Sequence, residues 1–223
     1  MIAKQQPKNG GFTLVELLVT MAISGIVMGG IYQVYNANQR TYIVQREIVE
    51  MQQNLRASIF LLGRELRMAG FDPTGEADAS IVTATSGSVR FTMDTSEDED
   101  VLDSGEDITY SLYDSGSDGD NDLGRKVGAG SNQPVALNID ALNFVYFDAG
   151  GSILACTAVS PVANPENIRS VQVTIVARSG FDFNYTNANV YRNDQDELIL
   201  GAVGDHYRRR LLTTRVQCRN MGL

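Results

Sequence analysis

Glu16 is the one charged residue in an apolar run that extends from Phe12 to Tyr35, and a glycine pair, Gly10 and Gly11, stands just ahead of it. Few uses fit a carboxylate in that setting. Holding it ionised within a bilayer costs on the order of 2.5 to 3.5 kcal/mol on insertion scales, so a compensating positive group is required. The chemistry on offer is charge pairing in low dielectric, with Glu16 as one half of the pair.

A second constellation is acidic. From Asp94 to Asp122 the chain carries twelve Asp and Glu residues and no Lys or Arg. Such a block repels itself unless it is solvated or ion-bound. Within it, Asp118, Asp120 and Asp122 alternate as calcium ligands do, because a hard cation takes several oxygens converging from a tight turn. The glycine after them comes one residue late for an EF-hand, and Ala129 stands where a closing glutamate would be. A solvated hairpin loop joining Tyr113 to Leu123 is therefore the first expectation, and calcium the second.

Other candidates for chemistry are sparse. The single histidine, His206, lies beside Asp205 and ahead of Arg208, Arg209 and Arg210. It reads as a surface or capping residue, and the arginines as solvated or paired with the acidic block. No nucleophile elbow, phosphate loop or zinc-protease helix motif is present, so catalysis is not expected. The formal charge of −9 argues against sequence-independent binding of nucleic acid, which needs a basic surface.

These residues must be positioned by a small set of elements. The run from Phe12 to Tyr35 makes about 24 residues, or roughly 36 Å of helix, enough to span a bilayer. Gly25, Gly29 and Gly30 interrupt it, and any local melting is expected to start at that glycine pair. Beyond it, Val44, Ile48, Met51, Leu55, Ile59, Leu62 and Leu66 recur at steps of three and four, an amphipathic face. Gly70 and Pro73 form the stop signal.

From Phe71 onward the pattern turns to short β-type runs: Ile81 to Ala84, Val89 to Met93, Ile108 to Tyr113, Leu142 to Phe147, Ile168 to Ala177 and Leu211 to Cys218. The fourth reads as buried on both sides. In the fifth, Val171, Val173 and Ile175 alternate with Gln172 and Thr174, which predicts one wet face. The expected fold class is α+β, a long membrane-spanning helix packed on an antiparallel β-sheet domain.

Lys4 and Lys8 precede the apolar span and no acid does, so the positive-inside rule leaves residues 1–11 in the cytoplasm and sends the rest outward. Cys156 and Cys218 then fall where disulfides persist. The expectation is a bridge between them, with two buried free thiols as the alternative.

The stretch Gly11-Phe12-Thr13-Leu14-Val15-Glu16 closely resembles the N-terminus of type IV pilins and of the pseudopilins of type II secretion. That resemblance implies a leader of residues 1–11 removed by a prepilin peptidase, an N-methylated Phe12, and Glu16 pairing with the terminal amine of a neighbouring subunit. A Sec-type signal is cut after its apolar region and lost whole, whereas here the cut precedes that region and the anchor stays.

The order of fragments from Asn54-Leu55-Arg56 through Arg67 to Pro73, Ile108 to Leu112, Leu142 to Asp148, Ile168 to Val171 and Arg209 to Val216 resembles the PilW-type minor pilins, and more distantly the J-type pseudopilins. The organisation so implied is a leader, 1–11; a helix, 12–70, with a filament core at 12–35 and a stem at 36–70; and a β-rich domain, 71–223, with an acidic loop at 94–122. The implied role is a non-enzymatic filament subunit in the inner membrane, with a periplasmic C-terminal domain, that helps initiate pilus assembly. Its implied partners are major and minor pilins, the peptidase and methyltransferase, and the assembly platform. The alternatives are a type II secretion pseudopilin and a calcium-dependent tip adhesin, for which Phe181, Phe183, Tyr185 and Tyr191 could form a surface. Those aromatics read more readily as core strand residues.

Overall fold

The computed structural model describes residues 11–222. Residues 1–10, with Lys4 and Lys8, where most of the expected leader falls, lie outside the described residues. One long helix, α1, runs over Leu14–Met68. Its start is fixed by a capping box: the Thr13 hydroxyl accepts from Glu16 N–H at 3.3 Å, and Glu16 Oε2 accepts from Thr13 N–H at 2.8 Å. Its end is fixed by Gly70, whose φ of 75° is the left-handed conformation that closes helices. The helix is unbroken through Gly25, Gly29 and Gly30, with no local melting at the glycine pair.

The chain divides into two compact units at Arg46 and Glu47. In the first, the described part of α1 turns nearly every side chain outward, and this segment is long and apolar enough to cross a membrane. In the second, Met51, Leu55, Leu62 and Leu66 are buried and enter the core, the face that the three-and-four spacing marks.

Among the described residues the rest of the second unit holds eleven strands and one short 3-10 helix, Pro165–Asn167. β1 (Ile81–Ala84), β2 (Ser88–Thr92), β3 (Asp107–Tyr113), β4 (Asp122–Val127) and β5 (Gln133–Ala136) form an antiparallel meander in that order. β6 (Ile139–Phe147), β7 (Ile153–Leu154), β8 (Ser170–Phe181) and β11 (Tyr207–Gln217) form a second antiparallel sheet, ordered β11-β8-β6-β7. β9 (Tyr191–Arg192) and β10 (Leu198–Leu200) pair by themselves. The sheet is thus divided in two. Asn138, with φ of 59°, sits at the corner between β5 and β6, and the chain leaves one sheet for the other there.

β6 is buried on both faces, as Phe144 and Tyr146 opposed to Val145 and Phe147 predict. For β8 the expected wet face is not found, since Gln172 and Thr174 are buried with their apolar neighbours. The reason is coverage on the far side. Gln172 exchanges hydrogen bonds with Gln195 at 2.8 Å and 3.2 Å, and Asn193 donates to Asn143 at 3.0 Å. The turn between β9 and β10 thus lies over that face and satisfies its amides.

Candidate assembly and processing site

Gly11, Phe12 and Thr13 precede the first turn of α1 outside any helix or strand, and Phe12 is 90 % exposed. An accessible, non-helical glycine followed by a bulky residue is what a peptidase needs to reach. Glu16 lies one turn inside the helix, where its carboxylate also accepts from the Thr13 hydroxyl at 2.9 Å. Both its oxygens stay on the surface, and its neighbours Leu14, Val15, Leu17 and Leu18 are all more than half exposed. The only side-chain partner of the carboxylate among the described residues is therefore local and replaceable. The Thr13-x-x-Glu16 capping signature is legible in the sequence, although the resemblance draws attention to Glu16 for its charge alone.

The structure does not gather Asp118, Asp120 and Asp122. β3 and β4 form the hairpin that joins Tyr113 to Leu123, with Tyr113 opposite Asp122. Asp120 pairs with Arg178, Asp122 accepts from Ser115 and from Asn138 N–H, and Asp118 accepts from Asp120 N–H at 3.0 Å. Among the described residues the acids that do converge are Asp98, Asp100 and Glu106, within 4.8 Å of one another. They offer oxygens for a hard cation, but Glu106 is already served. Its Oε1 accepts from the N–H groups of Thr95 and Ser96 at 2.9 Å and 3.0 Å, and its Oε2 from Asp103 N–H at 3.1 Å. Burial pushes the Glu106 carboxyl up, and these donors more than reverse it, leaving it below the usual range.

The expected disulfide is not formed: Cys156 and Cys218 are free thiols. Cys156 follows β7 and Cys218 follows β11, the two opposite edges of a sheet with β6 and β8 between them. Cys218 is buried, which pushes its thiol up to about 12.

The arginine run is not uniformly solvated. Arg209 is inserted between Asp140 and Asp205, with 2.6 Å and 2.5 Å bonds to the latter, and only 3 % of its side chain is exposed. Arg208 pairs with Asp182 at 2.9 Å, and Arg210 stays exposed. His206 is a surface-side residue whose Nδ1 meets the Tyr185 carbonyl oxygen at 2.6 Å. Phe183 stacks on its ring at 6.0 Å. Phe181 and Phe183 are 57 % and 79 % exposed, which corrects their reading as core residues. Tyr185 and Tyr191 are half-buried beside them.

Residues 6–32 match the family model for the prokaryotic N-terminal methylation motif. Among solved structures, a type IV-like pilin from Thermus thermophilus is similar at 14 % identity and a TM-score of 0.48, over 77 % of this chain and 98 % of that one. No curated protein matches the chain in sequence. Gly11, Phe12 and Glu16 all fall inside the matched motif, so the chain carries a prokaryotic N-terminal methylation motif at the head of the long helix α1.

Proposed function

We propose that the chain is a structural, non-enzymatic subunit of a type IV pilus, of the minor pilin kind, that inserts in the inner membrane and helps start assembly. One observation supports this above the rest. Glu16 is the single charged residue between Phe12 and Gln39, on a helix segment whose apolar side chains face outward. An exposed apolar helix needs either lipid or other helices around it, and a type IV filament supplies the second after the first.

In this reading a prepilin peptidase cuts between Gly11 and Phe12, the new amine is methylated, and the β-rich unit lies in the periplasm. Glu16 then exchanges its Thr13 donors for the amine of an adjacent subunit, which offsets the desolvation of both charges. Other pilins and the assembly platform are the partners.

The experiment separates pairing from capping. Glu16→Gln keeps an acceptor for the capping box, which tolerates glutamine, but removes the charge. The expected outcome is that both Glu16→Gln and Glu16→Ala insert normally yet are depleted from sheared filaments. Normal incorporation of Glu16→Gln would show that the residue serves only as a cap and would overturn the pairing role.

A second reading, display of a binding domain at the filament tip, draws on exposed Phe181 and Phe183 around His206. Loss of surface attachment in a Phe181→Ser, Phe183→Ser strain that still makes filaments would favour it.

A further inference from the structure

The longest free sheet edge in the second unit is β11, whose eleven residues pair with β8 on one side and with no strand on the other. Among the described residues, no main-chain or side-chain group takes up the outward N–H and C=O groups from Arg210 to Gln217. A free edge of that length is a template for another strand.

The flank beside this edge is a groove of about 240 Å3, lined by Arg56, Ile59, Phe60 and Arg67 of α1 and by Leu212 and Val216 of β11. Phe60 is 71 % exposed, although it stands on the part of α1 that is packed into the core. Arg210 shares the face of Leu212, Thr214 and Val216, since side chains two apart on a strand point the same way. Arg56, Arg67 and Arg210 are exposed, and none of them has a carboxylate partner among the described residues. Two of these arginines, Arg56 and Arg67, line the apolar groove, and Arg210 stands on the same face of β11 as its other wall, so this flank is basic in a chain of net charge −9.

We propose that β11 and this flank form a docking site for an extended, acidic segment of a partner protein, which adds as a fifth strand to the second sheet. A strand placed about 4.8 Å beyond β11 lies over the flank that carries Phe60. Its main chain satisfies the open edge, its apolar side chains cover Phe60 and Ile59, and its carboxylates meet Arg56, Arg67 and Arg210. This is strand addition, in which the main chain supplies affinity and the side chains supply selection. The arginines also settle what the partner is not. Two β11 edges brought together would oppose like charges, so a second copy of this edge is repelled while an acidic strand is drawn in. This docking role goes beyond that of a filament subunit and rests on residues of the second unit alone.

The test uses the full chain in detergent micelles and three labelled eleven-residue peptides, read by fluorescence anisotropy. One alternates valine and glutamate, one alternates valine and lysine, and one is the glutamate peptide N-methylated along a single edge. The expected result is saturable binding of the glutamate peptide, no binding of the lysine peptide, and loss of binding on N-methylation. The double variant Arg67→Glu, Arg210→Glu, both at exposed positions, should weaken the glutamate peptide about tenfold and admit the lysine peptide. Equal binding of the N-methylated peptide would overturn strand addition. Failure of the glutamate peptide to bind, or self-association of the double variant without any peptide preference, would show that the arginines only guard the edge against aggregation, and would equally overturn the proposal.

Discussion

Tyr110 Oη donates a 2.7 Å hydrogen bond to Glu65 Oε2, joining the middle of β3 to the last turns of α1 in a place closed to solvent. Arg125 of β4 holds the same carboxylate at 3.0 Å and 3.1 Å. A carboxylate on the buried face of a helix is tolerable only because both donors reach it. Burial first, and the Glu65 bond second, raise the Tyr110 phenol above its ordinary value, so it remains a donor at any physiological pH. Tyr110→Phe should cost about 1 to 3 kcal/mol, the loss of one donor to a charged acceptor. Glu65→Ala should cost about 3 to 5 kcal/mol, because it strands Arg125 without its counter-charge. Urea unfolding of both variants checks the order; an equal loss would mean that Arg125 finds water instead.

The turn that ends α1 gives a second prediction. Gly70 has φ of 75°, donates its N–H to the Thr92 carbonyl at 3.0 Å, and a Cβ on it would stand 2.8 Å from Met221 Sδ, so the methionine side chain would have to shift. A side chain there meets both the left-handed strain and the methionine. Gly70→Ala should lower stability by about 1 to 2 kcal/mol, read as a fall in melting temperature. The same change at Gly75, also at positive φ but with open space around it, should cost less.

These two sites show where the sequence speaks and where it does not. Gly70 and Pro73 announce the end of α1, and the period of Met51, Leu55, Leu62 and Leu66 announces its buried face, because both signals are local. β1 coincides with the apolar run Ile81 to Ala84 for the same reason. β4 is hidden, since Gly124, Arg125 and Lys126 carry no apolar alternation. Gly124 is there because the Tyr113 ring occupies the space of a Cβ, 2.6 Å from where that atom would lie, which is a cross-strand fact that no local pattern contains. The burial of Arg209 is hidden likewise. One of its partners, Asp140, stands 69 residues away and outside the acidic block that drew attention. At the N-terminus the reverse holds: Gly11, Phe12 and Glu16 are local in sequence, and the methylation motif that contains them is carried by the sequence alone.

Acid should unfold the β-rich unit through a few particular carboxyls. The hydrogen bonds from Arg209 hold Asp205 below its ordinary value of 3.8, and the N–H groups of Thr95, Ser96 and Asp103 hold Glu106 below 4.5. A carboxyl depressed in the folded state contributes stability that is present above its unfolded value and lost as pH falls through the folded one. The melting temperature should therefore be level down to about pH 5 and decline below it. Glu106→Gln should melt lower at neutral pH and show a shallower decline in acid. A variant whose acid profile parallels the parent would remove Glu106 from the linkage.

The separation of the two cysteines makes a chemical prediction that needs no mutation. Cys218 is buried and its thiol is pushed up to about 12, so at pH 8 it holds almost no thiolate and presents no accessible sulfur. Cys156 is half-buried, and its thiol is raised by burial first and by Glu197 second. It should therefore react with iodoacetamide before Cys218, giving a singly alkylated species under native conditions and a doubly alkylated one in denaturant. Both labels should appear without reductant, because both thiols are free. A chain purified without reductant that takes no label in denaturant would mean that the two strands can approach, and that the sheet order β11-β8-β6-β7 does not hold in the protein as made.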